Sequence, residues 1–276
     1  MNFGIIGGDS RQLFLKKILE NKRYETCLFG SGDEKSDSER AFDADVVIFP
    51  MPVSRDGVNL NAPRAKEKTA LTAAADRLHE GQTVFGGMFP EWFSEKLKLR
   101  GINLFDYGES EYLTRINAVL TAEGAVGVAV QNTPFSIFES EALVVGFGRI
   151  GKVLSRYLSA LGARVTVSAR KESDLADIRA NGFSAIKTAE ISNYTQNYNF
   201  IFNTVPTPVL GDQALRKMQP DCALIELASR PGGTDIAALR ELKIDIINAP
   251  SLPGRYSPEK AAQIIFEFIR DKCSAL

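Results

Sequence analysis

A chain of 276 residues with 44% hydrophobic and 24% charged side chains is long and apolar enough to bury a sizeable core, which excludes a disordered or fibrous protein. Lys and Arg number 33 against 34 Asp and Glu, so a formal charge of −1 gives no global field that would draw the chain onto nucleic acid or an anionic membrane. The length suits two domains of about 100–150 residues each.

The amino-terminal half alternates short apolar runs with stretches of helical period, the pattern of a parallel α/β sheet. Phe3-Gly4-Ile5-Ile6 breaks at Gly7-Gly8-Asp9-Ser10, and a helix is expected over residues 11–21. Strands are predicted at 24–29, 45–49, 83–85 and 102–105, helices at 65–79 and 90–99, and polar loops at 31–39 and 54–63. That gives a flavodoxin-like domain over residues 1–115. Residues 110–131 read as a long helix packed tightly at Gly124 and Gly127, and 116–135 serve as the linker. Strands then follow at 142–145, 164–168, 183–186, 199–203, 223–227 and 244–247, with helices at 150–161 and 173–181, a Rossmann domain over 136–257. Ser257-Pro258-Glu259 opens a last amphipathic helix, 258–272, expected to pack back on the first domain. The fold class is α/β, with two doubly wound parallel-sheet domains.

Cys27, Cys222 and Cys273 stand far apart in no ligand spacing, and the one histidine, His79, reads as a last-turn helix residue. A histidine-assisted nucleophile would need His79 itself, histidine-rich metal sites are impossible, and no metal is expected. The amino terminus lacks the basic region of a signal peptide, and no stretch reads as a membrane span, so a cytoplasmic protein is expected.

Gly146-Phe147-Gly148-Arg149-Ile150-Gly151 follows the strand Ala142-Leu143-Val144-Val145 and opens an amphipathic helix. Strand, glycine turn, helix and second strand within about 30 residues form a dinucleotide fingerprint. Gly146 makes the tight turn, Gly148 admits the pyrophosphate, and Gly151 lets helix and strand pack. A dinucleotide site for NAD carries an acid about 20 residues after the first glycine. Here the second strand ends Val167-Ser168-Ala169-Arg170-Lys171. A hydroxyl, an arginine fork and an ammonium suit a 2′-phosphate, so NADP is favoured over NAD. Asn203-Thr204-Val205-Pro206 ends a later strand and should pass the nicotinamide-side ribose.

The chain resembles the A subunits of dipicolinate synthase. Gly7-Gly8-Asp9-Ser10-Arg11-Gln12, Asn117-Ala118-Val119-Leu120-Thr121-Ala122-Glu123-Gly124-Ala125, the glycine fingerprint, Ala228-Ser229-Arg230-Pro231-Gly232-Gly233 and Leu252-Pro253-Gly254-Arg255-Tyr256-Ser257-Pro258 carry the resemblance in order along both halves. It implies the two-domain plan shared with 2-hydroxy acid dehydrogenases, and NAD(P)-dependent oxidation of dihydrodipicolinate to dipicolinate during sporulation. It also implies the flavoprotein-like B subunit of dipicolinate synthase as partner in the mother cell of a spore former. The 2-hydroxy acid dehydrogenases use a histidine in the cofactor domain, and none follows His79 here. Oxidising a dihydropyridine gains aromaticity and needs only hydride removal with loss of an acidic proton, which a histidine-free site can accommodate.

A planar dicarboxylate substrate calls for cations and donors. Arg230 and Arg255, Ser229, and Asn117 and Thr121 from the long helix are the candidates, with hinge salt bridges as the other reading of the arginines. Glu123, beside Gly124, is the candidate proton acceptor, or else a capping or arginine-pairing residue. Gly7-Gly8-Asp9 reads as shaping the domain edge, with a second phosphate cradle as the alternative and Arg11 as a possible substrate contact. A homodimer is the expected assembly. The alternative functions are another NADP-dependent oxo-acid or imine reductase, and a non-catalytic dinucleotide-binding subunit.

Overall fold

The computed structural model describes residues 1–31, 38–229 and 231–273. The chain divides into two units, Met1–Asn117 with Ser257–Leu276, and Ala118–Tyr256.

In the first unit β1 (Asn2–Ile6), α1 (Ser10–Asn21), β2 (Glu25–Phe29), α2 (Ser38–Phe42), β3 (Val46–Ile48), α3 (Leu71–Asp76), β4 (Thr83–Gly86), α4 (Glu91–Leu99) and β5 (Asn103–Asp106) follow one another. The strands pair in parallel in the flavodoxin-like order β2-β1-β3-β4-β5. Phe3, Ile5, Ile6, Val47, Ile48, Val84 and Phe85 are fully buried, so these strands read as continuous apolar runs and not as alternating ones. Asp9 starts α1 with a capping box: its carboxylate accepts from the Arg11 N–H, and its own N–H donates to Gln12 Oε1 at 3.1 Å.

The helix expected over 65–79 is confined to Leu71–Asp76. Leu60 N–H donates to the Thr69 carbonyl at 2.9 Å and Leu71 N–H to the Val58 carbonyl at 2.8 Å. Backbone groups that a longer helix would use internally close a loop arm instead.

Next comes α5 (Glu111–Asn132), which begins in the first unit and ends in the second as one unbroken helix. By length and composition α5 is long and apolar enough to cross a membrane, contrary to the expectation that no stretch would be. Half of its most apolar stretch is buried inside the folded chain, and Ala122, Ala125, Val128 and Ala129 join the core of the second unit.

That unit contains β6 (Glu141–Val145), α6 (Arg149–Ala160), β7 (Arg164–Ala169), α7 (Glu172–Ala180), β8 (Ser184–Lys187), β9 (Phe200–Asn203), α8 (Asp212–Arg216), β10 (Ala223–Glu226), α9 (Ile236–Leu242), β11 (Ile246–Asn248) and α10 (Leu252–Tyr256). Its parallel sheet has the order β11-β10-β9-β6-β7-β8, that of a dinucleotide-binding sheet, in which the winding direction reverses between β6 and β9. The short helices α8, α9 and α10 are additions to the elements expected from the sequence. The chain ends in α11 (Pro258–Lys272), which lies against α1 and sets Phe268 edge-on to Phe85 and Tyr107, 6.1 and 5.6 Å between ring centroids.

Candidate dinucleotide-binding site

The turn after β6 is held from two sides. Gly146 N–H donates to the Ser168 carbonyl at 3.1 Å, and the Val145 carbonyl accepts from both Thr204 N–H (3.0 Å) and Thr204 Oγ1 (2.8 Å). The loop after β9 is thereby tied to the glycine turn at the point where open α/β sheets bind ligands. Gly146 has φ +98°, and a Cβ there would lie 2.7 Å from Thr204 Oγ1. A Cβ on Gly151 would lie 2.0 Å from the Gly146 carbonyl oxygen. Gly148 is different: nothing lies within 4 Å of the position its Cβ would take.

Two of the three glycines are therefore needed by the protein's own packing, whereas the third leaves an open approach to the backbone. Gly148 is also the N-cap of α6, makes no side-chain cap bond, and is followed by a first turn without acids. Exposed N–H groups and the positive end of the helix dipole suit a pyrophosphate. Phe147 and Ile150 are half-buried against the core, Arg149 is exposed, and Lys152 Nζ stands 4.9 Å from the Phe147 ring centroid. These residues fit a dinucleotide.

At the end of β7, Arg170 and Lys171 are exposed. Ser168 and Ala169 are buried, and the Ser168 side chain faces the Gly146 N–H at 3.4 Å. Ser168 thus supports the turn from behind, so the expectation that its hydroxyl meets a phosphate is corrected to the two cations after it. Glu172, the nearest acid in sequence, is paired with Lys187 at 2.7 Å, and that ion pair lowers its pKa.

Asn203 is fully buried, and its amide binds the protein: Nδ2 donates to the Val205 carbonyl (3.0 Å) and to Glu226 Oε1 (2.7 Å), and Oδ1 accepts from Val205 N–H (3.1 Å). Its expected direct contact with the cofactor becomes a role in shaping the loop. Thr204 and Val205 are half-buried and Pro206 is exposed.

Ser229 and Arg255 are exposed on the segments after β10 and β11, at the same sheet edge as the glycine turn. Arg230 lies outside the described residues, as does most of the loop read at 31–39. On α5, Thr121 is buried in the second unit and Asn117 half-buried in the first. Glu123 is exposed, contrary to the crowded setting that its glycine neighbour suggested. The close approach is made by Gly124 and Gly127 themselves, where a Cβ would lie 2.7 Å from Leu252 Cβ and 2.8 Å from Tyr256 Cε1.

Arg11 is buried, and its guanidinium holds Asp9 through two 2.9 Å bonds and the Met51 carbonyl through one of 2.8 Å. It is a latch within the first unit and not a substrate contact. At the turn whose alternative reading was a phosphate cradle, the Asp9 carboxylate accepts from the Arg11 N–H at 3.1 Å. Burial alone would raise the Asp9 pKa, but the Arg11 bonds and charge outweigh it and hold the carboxyl below its usual value.

The residue that sequence reasoning missed is Glu226. It ends an apolar strand, is 7% exposed, and reads as core; the signal was an acid where a buried charge must be fully partnered.

Residues 2–108 match the family model for the N-terminal domain of the dipicolinate synthase A subunit, and residues 120–243 that for the D-isomer specific 2-hydroxyacid dehydrogenase NAD binding domain. A curated relative, the dipicolinate synthase A subunit of Bacillus subtilis (strain 168), is 30% identical over 96% of this chain and 93% of its own length. The crystal structure of the dipicolinate synthase A subunit from Bacillus halodurans is 26% identical, with a TM-score of 0.82 over 98% of this chain and 97% of that one. That of the A chain from Bacillus subtilis is 28% identical, with a TM-score of 0.80 over 98% and 94%. A dinucleotide-binding domain of the dehydrogenase type, an amino-terminal domain matching that of the A subunit, and a curated relative 30% identical over almost the whole chain place it in the family of dipicolinate synthase A subunits.

Proposed function

We propose that the chain is an NADP-dependent dehydrogenase that oxidises dihydrodipicolinate to dipicolinate. The observation that carries this reading is the open backbone at Gly148, at the reversal point of the sheet, in a chain similar over almost its whole length to a dipicolinate synthase A subunit.

The bound dinucleotide supplies the two-electron hydride acceptor. The chain's own residues do the rest. The N–H groups of the first turn of α6 bind the pyrophosphate, while Arg170 and Lys171 bind the 2′-phosphate and so select NADP. Ser229, Arg230, Arg255, Thr121 and Asn117 supply donors and charge for the two carboxylates of a planar dianion. Converting the dihydropyridine ring to a pyridine releases one hydride and one proton, and Glu123 is the proton acceptor in this reading. The proposed setting is the cytoplasm of the mother cell of a spore former, with a homodimer as the assembly and the flavoprotein-like B subunit as the partner.

The test mixes the purified chain with dihydrodipicolinate and NADP. NADPH absorbance should rise together with that of the pyridine dicarboxylate, and silence with the partner protein present would contradict the reading. Arg170→Ala should weaken NADP by roughly 10-fold or more, the scale of a charge-assisted phosphate contact, and leave NAD almost unchanged. Equal losses in two calorimetric titrations would refute the 2′-phosphate assignment.

A further inference from the structure

Glu226 occupies the last position of β10 with its carboxylate turned into the protein. Oε1 accepts from Asn203 Nδ2 (2.7 Å) and from Ala228 N–H (3.1 Å), and Oε2 accepts from Thr234 Oγ1 (2.8 Å) and Gly233 N–H (3.3 Å). Two donors on each oxygen match the four acceptor positions of a carboxylate, so the group is saturated and has no lone pair left for a substrate proton. The donors come from two separate segments, one at the end of β9 and one after β10. Asn203 belongs to the segment that continues through Thr204 to the glycine turn, and Ala228, Gly233 and Thr234 belong to the segment that carries Ser229.

The two loops also touch directly. Val209 and Leu210 N–H both donate to the Gly233 carbonyl at 2.9 Å. A Cβ on Gly233 would stand 2.3 Å from the Val205 carbonyl oxygen and 2.4 Å from Asn203 Nδ2, so no side chain could sit there. Gly232, at φ +87°, would place a Cβ 3.5 Å from Glu226 Oε2 and so lies over the carboxylate.

We infer that Glu226 is a positioning residue that joins the nicotinamide-side segment (203–206) to the described parts of the substrate-side segment (228–229 and 231–234), so that the two move as one platform. The inference rests on the dinucleotide and substrate roles proposed above for those loops. A carboxylate suits the task better than an amide because all of its partners are donors. Glu226→Gln would keep the shape while turning an NH2 group against two of them.

The test uses the full-length chain with Glu226→Gln and Thr234→Val, and Thr234→Ser as the conservative control. By hydrogen exchange, Glu226→Gln should quicken exchange of the backbone amides in both 203–210 and 226–236 by about 10-fold, leaving the rest of the chain unchanged. Thr234→Val should do so more weakly, and Thr234→Ser not at all. In turnover assays the substrate KM should rise about 10-fold in Glu226→Gln while the dissociation constant of the dinucleotide, set largely at α6 and Arg170, changes less than about threefold. Faster exchange confined to one loop, or exchange in Glu226→Gln indistinguishable from wild type, would overturn the inference. Should Glu226→Gln fail to fold, Thr234→Val alone decides by exchange. If the wild type turns over no dihydrodipicolinate, the reaction assigned above fails, and the exchange result still decides whether Glu226 couples the loops.

Discussion

Tyr107 is fully buried against Phe268, and its hydroxyl is the one buried side-chain polar atom among the described residues that finds no hydrogen-bond partner. Burial raises its pKa, which favours the neutral phenol. An unpaired buried hydroxyl costs free energy that a phenyl ring does not incur. Tyr107→Phe should therefore leave stability unchanged or raise it by about 1 kcal/mol in chemical denaturation. A loss of that size would mean that the hydroxyl has a partner. Asp9 behaves in the opposite way. Its folded-state pKa is lowered, so its contribution is complete above the ordinary carboxylate range and is lost as pH falls through the folded value. Asp9→Asn should destabilise the protein at neutral pH and flatten the acid limb of its stability profile, as read from melting temperatures between neutral and acidic pH. These roles were only partly legible in the sequence. Gly7-Gly8-Asp9 announces a break between strand and helix, but the Arg11 guanidinium could equally have faced outward. Only the Met51 carbonyl, 40 residues away, shows that it turns in.

At the scale of elements, the strands were the most legible feature, because a parallel sheet covered on both faces is written as short uninterrupted apolar runs. The fingerprint was legible for the same local reason, since strand, glycine turn and helix are consecutive. Helices were less so where competing bonds lie far along the chain. The stretch before Leu71 has helical composition, but its backbone bonds to residues 58–60. Glu226 illustrates the limit: its place in β10 is visible in the sequence, whereas the donors that make it tolerable arrive from loops up to 23 residues away. The fingerprint also separates binding from folding. Gly148→Ala should fold with wild-type stability, because the added methyl has no protein atom within 4 Å, and should lose dinucleotide affinity, because it would obstruct the pyrophosphate proposed to bind there. Gly151→Ala pushes a methyl into the Gly146 carbonyl and should destabilise the protein by about 1–3 kcal/mol. Thermal melts with and without NADP distinguish the two, and equal stability losses would contradict the assignment.

For the whole molecule, the sequence carried the α/β class, the two parallel sheets and the family, because topology follows from the alternation of elements and the family from motifs spread over both halves. The chemistry of the substrate was less legible, since Glu123, Ser229 and Arg255 are exposed groups whose role depends on what they meet. In the proposed reaction two electrons would leave the dihydropyridine ring as a hydride and pass to the dinucleotide. The direct measurement supplies dihydrodipicolinate deuterated at its saturated ring carbons, with NADP and without oxygen, and follows the label by mass spectrometry. One deuterium should appear in the reduced nicotinamide for each pyridine dicarboxylate formed. Pyridine dicarboxylate appearing while the nicotinamide stays oxidised, or reduced cofactor without label, would contradict it.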